Sequence, residues 1–231
     1  MPEYSKNLDC INCRKKNSVF CLLNEDQLAR MNQNKYEVKF NAGEIIFKQE
    51  SPMTHVACIT EGLVKIYLEG HSKKRLLLKL ALPGEIIGGP GLLIDNKHHY
   101  TATAVTDTNT CFVDAGVFEE NLRVNSDFAL AMIQRINLSA IRNFDALLNH
   151  TQKLMPGRVA GAILYLYHHV YKTNPFYLTI NRQDIADLAS MTKESLIRVL
   201  KELKDSEIIE IDGNKVRILN ERKLAEINEK G

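Results

Sequence analysis

Apolar and polar residues come in short runs through the first half of the chain, then switch to steps of three and four. Residues 43–47, 55–59, 62–68, 75–80, 100–105 and 110–113 carry β-type residues, punctuated by Asn41-Ala42-Gly43, Glu61-Gly62, Leu68-Glu69-Gly70 and Leu82-Pro83-Gly84. Many short strands at this spacing predict a small antiparallel β-barrel or jelly roll across residues 36–114. Ahead of it, Asn24-Glu25-Asp26-Gln27 has a side-chain acceptor followed three residues on by Gln, a capping box that should open a short helix. Residues 126–155 contain neither Gly nor Pro, and Ile133, Ile136, Ala140, Phe144 and Leu147 recur on one helical face. Leu130, Leu138 and Ile141 make a second face partly apolar. A helix of about 30 residues is roughly 45 Å long. One barrel cannot cover both faces over that length, so the pattern predicts a partner helix and a homodimer. The alternative is burial between the chain's own domains.

Pro156-Gly157 should stop that helix. A second follows, with Val159, Ile163, Leu166 and Val170 as its apolar stripe and Asn174-Pro175 at its end. Residues 177–180 read as a short strand and Asn181 as the cap of a helix over 182–189. Ser190-Met191 makes a turn, and Thr192 caps another helix running to Leu203. Two short helices joined this way form a helix-turn-helix, whose second helix is sized for the major groove. Leu196, Val199, Leu200 and Leu203 should face inward, leaving Lys193, Glu194, Ile197, Arg198 and Lys201 outward. Arg can donate two bonds to guanine and Glu can accept from a cytosine amino group. Thr192 and Ser195, at the helix start, suit phosphate contacts. Ile208-Ile209-Glu210-Ile211, Asp212-Gly213-Asn214 and Lys215-Val216-Arg217-Ile218 read as strand, turn and strand, a wing.

Composition adds limits. Lys and Arg number 30 against 28 Asp and Glu, so net charge is only +2 and DNA binding must rest on local placement of cations. No apolar run is long enough to span a membrane and no signal-peptide pattern opens the chain, so a cytoplasmic location is expected. Three of the five cysteines, Cys10, Cys13 and Cys21, fall in the first 21 residues. In a reducing compartment such a cluster reads as metal ligands or redox thiols, not a disulfide framework. Cys58 and Cys111 lie in strand-like runs, where free cysteine packs as a small hydrophobe. The C-x2-C lacks the βαβ context of a thiol oxidoreductase, and no Ser/His/Asp or carboxylate constellation stands elsewhere, which speaks against an enzyme.

Taken together, the predicted sensor barrel, long helix and winged helix-turn-helix resemble the CRP/FNR family of transcription regulators, most specifically in Gln183-Asp184-Ile185-Ala186 and Thr192 to Leu200. The resemblance implies an α+β chain with four parts. These are a cysteine-rich segment (1–23), a cyclic-nucleotide-binding-like jelly roll (24–125), a dimerisation helix (126–155) and a DNA-binding domain (156–231). It implies a homodimer on inverted-repeat double-stranded DNA, with RNA polymerase as a partner. Glu194 and Arg198 would read a TGA-type core and Lys193 a further base, while Ile197 departs from the small or polar residue common there. Members that bind a cyclic nucleotide carry Gly-Glu and later Arg-Ser/Thr-Ala. Here Gly84-Glu85 is present, but Tyr100-Thr101-Ala102 puts tyrosine where the phosphate's cation belongs, so no cyclic nucleotide is expected. In the oxygen-sensing fumarate-nitrate reduction branch, three N-terminal cysteines and one barrel cysteine hold a 4Fe–4S cluster. Cys10, Cys13, Cys21 and Cys111 match that set, with a longer gap before Cys21. Zinc suits such a set equally well. A regulator answering to another small effector without metal stays open.

Overall fold

The computed structural model describes residues 3–5, 10, 13, 18–70 and 75–231. The remainder of the cysteine-rich segment, residues 1, 2, 6–9, 11, 12 and 14–17, lies outside the described residues, Asn12 of the C-x2-C included. The fold is α+β, and the chain divides into two compact units, Met1–Lys74 with Lys79–Ala140, and Arg75–Leu78 with Ile141–Gly231.

From the N-terminus the strands are β1 (Glu3–Ser5), β2 (Lys35–Phe40), β3 (Ile45–Phe47), β4 (His55–Glu61), β5 (Val64–Glu69), β6 (Arg75–Ala81), β7 (Ile86–Ile87), β8 (Thr101–Ala104) and β9 (Thr108–Asp114). They form two jelly-roll-like sheets, ordered β1-β2-β9-β4-β7 and β3-β8-β5-β6, and not one closed barrel. Strand β9 lies antiparallel between β2 and β4, in unbroken register with β2 and with a shift against β4 between Ile59 and Glu61. Gly62 makes the turn from β4 into β5 at φ +91, and a Cβ there would collide with the carbonyl oxygen of Asp107 and the side chain of Thr108. That turn therefore needs glycine.

Helix α1 (Glu25–Gln33) starts in the predicted capping box. Asn24 Oδ1 accepts the Gln27 N–H at 2.9 Å and Gln27 Oε1 accepts the Asn24 N–H at 3.0 Å. Before it, a 3-10 helix (Ser18–Leu22) points Val19 and Phe20 inward. After β9 come α2 (Ala115–Val124), capped by Asp114, and α3 (Ser126–Gln152). Phe20, Phe118 and Phe128 meet with ring centroids 5.3–6.3 Å apart, which ties the 3-10 helix to α2 and the start of α3. Beyond Phe128, α3 buries no residue. Both of its apolar stripes are exposed.

In the second unit, α4 (Met155–Tyr165) has Pro156 in its first turn and buries Val159 and Ile163. The helix expected to run on towards Asn174 instead widens into a π-helical segment (Leu166–Tyr171), closed by Lys172 at φ 57, whose N–H bonds to Tyr167 O at 2.8 Å. Strand β10 (Phe176–Tyr177) is shorter than the predicted 177–180 run, because the Thr179 N–H is taken by the Tyr171 hydroxyl at 2.9 Å. Helices α5 (Arg182–Leu188) and α6 (Lys193–Asp205) precede β11 (Ile209–Asp212) and β12 (Lys215–Ile218), which turn through Gly213 at φ +57. The sheet order is β10-β12-β11. A last helix, α7 (Glu221–Lys230), packs on α4 with Leu224 fully buried. Neither α7 nor β1 was expected.

Candidate DNA-reading helix and thiol pocket

The reading helix is held at its N-terminal end. Thr192 Oγ1 accepts the Ser195 N–H at 3.2 Å and so caps α6. The turn before it passes through Ser190 at φ +52, and Arg158 on α4 donates to the Ser190 carbonyl at 2.9 Å. Leu196, Val199, Leu200 and Leu203 are buried, so the helix cannot rotate without exposing them. This leaves Thr192, Lys193, Glu194, Ile197, Arg198 and Lys201 exposed and Ser195 half-buried. Arg198 Nη2 donates to the Met155 sulfur at 4.0 Å, and the residue is exposed. Its guanidinium therefore stands on the surface. Between this face and the wing lies an open cavity of about 560 Å³, lined by Arg182, Gln183, Lys193 and Asn214 among others. Arg182 donates to the Gly213 carbonyl at 2.9 Å and tethers the wing to α5. Burial pulls the Arg182 guanidinium below its ordinary pKa. Only its position at the start of α5 marked it in the sequence.

The cysteines fall into two groups. Cys10, Cys13, Cys58 and Cys111 line one small cavity of about 30 Å³, room for about one water molecule. Phe20, Leu28, Met31 and Val113 supply its apolar walls, with Lys35, Glu37 and Thr60 among the lining side chains. Cys10 is buried, its N–H donated to Asn32 Oδ1 at 3.2 Å, so α1 anchors the N-terminal segment there. Cys58 on β4 and Cys111 on β9 are directly opposed in the strand register. Burial pushes the Cys58 thiol up to about 12, opposed by Arg135 and reinforced by Cys13 and Cys10. The same cause raises Cys111 to about 12, opposed by Lys35 and reinforced by Cys10 and Cys58. Cys21 stands apart, exposed on the 3-10 helix whose other face carries Val19 and Phe20 inward. The structure thus brings Cys10, Cys13 and Cys111 together as expected. It adds Cys58 to them and leaves Cys21 outside. Cys58 is buried, as its core-thiol reading requires, but its side chain also faces the other thiols. No group of three His, Cys, Asp or Glu among the described residues is spaced to hold a metal ion.

Around Gly84-Glu85 and Tyr100 the polar side chains bond within the chain. The Glu85 carboxylate accepts the Leu82 N–H at 3.1 Å and pairs with Lys79. The Tyr100 hydroxyl accepts the Gly88 N–H at 3.0 Å, and burial, reinforced by Glu85, pushes the phenol up to about 12. His98, expected in a loop, is in one, yet it is buried, with Nδ1 2.6 Å from the Gly88 carbonyl and its ring stacked 3.9 Å from Phe47.

A jelly-roll unit, a long helix and a winged helix-turn-helix follow one another in this order, the plan of one class of DNA-binding regulator. Residues 37–125 match the cyclic nucleotide-binding domain and residues 157–227 the Crp-like helix-turn-helix domain. The chain belongs to the CRP/FNR family of transcription regulators and is not an enzyme. It is similar to the nitrogen fixation regulation protein FixK of Bradyrhizobium diazoefficiens, 23% identical over 91% of this chain and 90% of the relative. The anaerobic regulatory protein of Pasteurella multocida is 22% identical over 88% of this chain and 75% of that protein. In fold, the structure of FixK2 from Bradyrhizobium japonicum superposes with a TM-score of 0.76 at 22% identity, over 83% of this chain and 96% of that one. No helix among the described residues is long and apolar enough to cross a membrane.

Proposed function

We propose that the protein is a homodimeric regulator that binds inverted-repeat DNA and answers to oxygen, or a related redox signal such as nitric oxide, through its thiol pocket. The observation that carries the sensing half is the convergence of Cys10 and Cys13, from the N-terminal segment, on Cys111 in a rigid strand. A related protein that is called an anaerobic regulator supports the same direction. In donor type, though not in the spacing of the described residues, the set suits a soft metal centre: sulfur ligands in apolar surroundings, with Lys35 favouring the Cys111 thiolate against burial. Cys10, Cys13 and Cys111 would hold an iron–sulfur cluster, with Cys21 as fourth thiolate on the family pattern. When bound, such a cluster supplies oxygen-labile iron and sulfide. On the DNA, Glu194, Arg198 and Lys193 read bases while Thr192, Ser195 and Lys201 meet phosphates. Ile197 would bear on the outer bases, and RNA polymerase is the partner on the promoter. Two copies of α6, one helical turn of DNA apart, set the two half-sites. A cyclic nucleotide is not the effector on this reading, since Tyr100 stands where the family's phosphate-binding arginine belongs.

The test is anaerobic purification of the full chain, followed by an absorption spectrum, iron, zinc and acid-labile sulfide contents, and DNA affinity before and after air. Iron and sulfide in equal amounts, lost in air with a change in DNA affinity of about tenfold, are expected. Zinc alone, or no metal with affinity indifferent to air, overturns the sensing half.

A further inference from the structure

We propose that Cys58 and Cys111 form a cross-strand redox pair, a modification site at which the two thiols close to a disulfide. The inference rests on strand register and concerns the pocket free of metal, since a Cys111 thiolate held by metal could not close on Cys58.

In an antiparallel ladder, facing residues have Cα atoms about 4.5 or 5.5 Å apart, depending on whether the pair is hydrogen-bonded. Disulfides form across Cα separations of about 4.4–6.8 Å, so either kind of pair falls inside the range. Cys58 and Cys111 are such a facing pair, flanked in register by Ala57 opposite Phe112 and Ile59 opposite Thr110. Directly opposed side chains leave the sheet on the same face, and both sulfur-bearing residues line the one cavity. Strand β9 is held on its other side by β2, so the pair is already placed and closure needs no loop to move. Cys10 and Cys13, by contrast, come from the N-terminal segment.

Access sets the order of events. Cys111 is half-buried and Cys58 buried, so a small hydroperoxide meets Cys111 first. The Cys111 sulfur attacks one peroxide oxygen, the O–O bond breaks, and hydroxide leaves as water with the thiol proton, giving a sulfenic acid. The Cys58 sulfur then attacks the Cys111 sulfur, the S–O bond breaks, and a second water leaves with the Cys58 proton. Two thiols are oxidised by two electrons in all, and one hydrogen peroxide is reduced to two waters.

The test uses full-length protein purified in air, its iron and zinc contents determined, then treated with hydrogen peroxide. Remaining thiols are blocked with iodoacetamide and the cysteine peptides mapped by mass spectrometry. A peptide linking Cys58 to Cys111 is expected as the main oxidation product. With Cys58→Ala, Cys111 is expected to remain as a sulfenic acid that a 1,3-diketone probe captures. Cys111 linked instead to Cys10 or Cys13, or oxidised to sulfinic acid in the wild type while Cys58 stays alkylatable, overturns the pair. Should Cys58→Ala not fold, the wild-type map decides alone. Failure of the metal reading is seen separately, as absence of iron from anaerobic protein that still forms the linked peptide.

Discussion

Leu196, Val199, Leu200 and Leu203 line one face of α6 and are all buried, whereas Ile133, Ile136, Phe144 and Leu147 line one face of α3 and each keeps half or more of its surface exposed. The two helices carry the same kind of amphipathic stripe. For α6 the cover is supplied locally by α4 and α5. For α3, Leu130, Leu138 and Ile141 leave a second stripe exposed beside the first. Contiguous apolar surface of this kind marks an interaction site. A covered stripe fixes how a helix presents its polar face. An uncovered one asks for another chain, and the family of homodimeric regulators to which the protein belongs supports a second copy as that chain.

The sharpest way to break this comparison is to charge the uncovered stripe. Ile136→Lys removes two buried isoleucines from a symmetric interface, each worth about 1.5–3 kcal/mol. Dimer affinity should fall by roughly 10²–10⁴-fold on sedimentation, with the monomer still folded. An unchanged dimer would exclude this face. Inside α6, Leu196→Ala should cost about 2–5 kcal/mol in denaturant unfolding, because Leu196 is fully buried and leaves a cavity. Its neighbour Ile197, 51% exposed, should change stability by no more than about 0.5 kcal/mol when cut to Ala. Equal costs would mean the facing of α6 is wrong.

Arg198→Ala should cost about 1–3 kcal/mol in DNA binding and relax preference at one guanine per half-site. Lys201→Ala should instead weaken all sequences alike and flatten the salt dependence. Selection from randomised half-sites at two salt concentrations separates them. The smallest effect concerns the end of α3. His150 is held below its ordinary value of 6.5 by burial and then by Arg158. A depressed folded-state pKa means the unfolded chain binds the proton more readily. Stability from neutral His150 is therefore present above pH 6.5 and lost as pH falls below it. His150→Gln should show a shallower loss of stability between pH 8 and 5.5 than the wild type, and an identical slope would remove His150 from the account.

Much of the second unit was legible because its signals are local. The Asn181 and Thr192 caps, the leucine spacing of α6 and Asp212-Gly213 each act within a few residues, and each is found in the structure. Helix α7 was equally local, with Asn220 capping it through the Lys223 N–H at 2.9 Å, but it follows a wing that already completes the expected motif. Strand β1 could not be read, since three residues carry no periodicity until β2 pairs with them.

The cysteines mark the limit. Sequence spacing put Cys21 with Cys10 and Cys13, and the apolar run Val56-Ala57-Cys58-Ile59 marked Cys58 as a core thiol. Both inferences use distance along the chain. Which sulfurs share a cavity depends instead on the register of β4 against β9 and on the docking of the N-terminal segment through Asn32 and Phe20. By itself, then, the sequence determined most of the elements, their caps, the faces of α3 and α6 and the family, because periodicity and capping are set within a turn or two of helix or strand. Tertiary structure alone decided that Cys58 faces Cys111, that Cys21 stands outside, and that α3 keeps its apolar stripes uncovered, because pairing across strands and cover by distant elements are settled only when the chain folds back on itself.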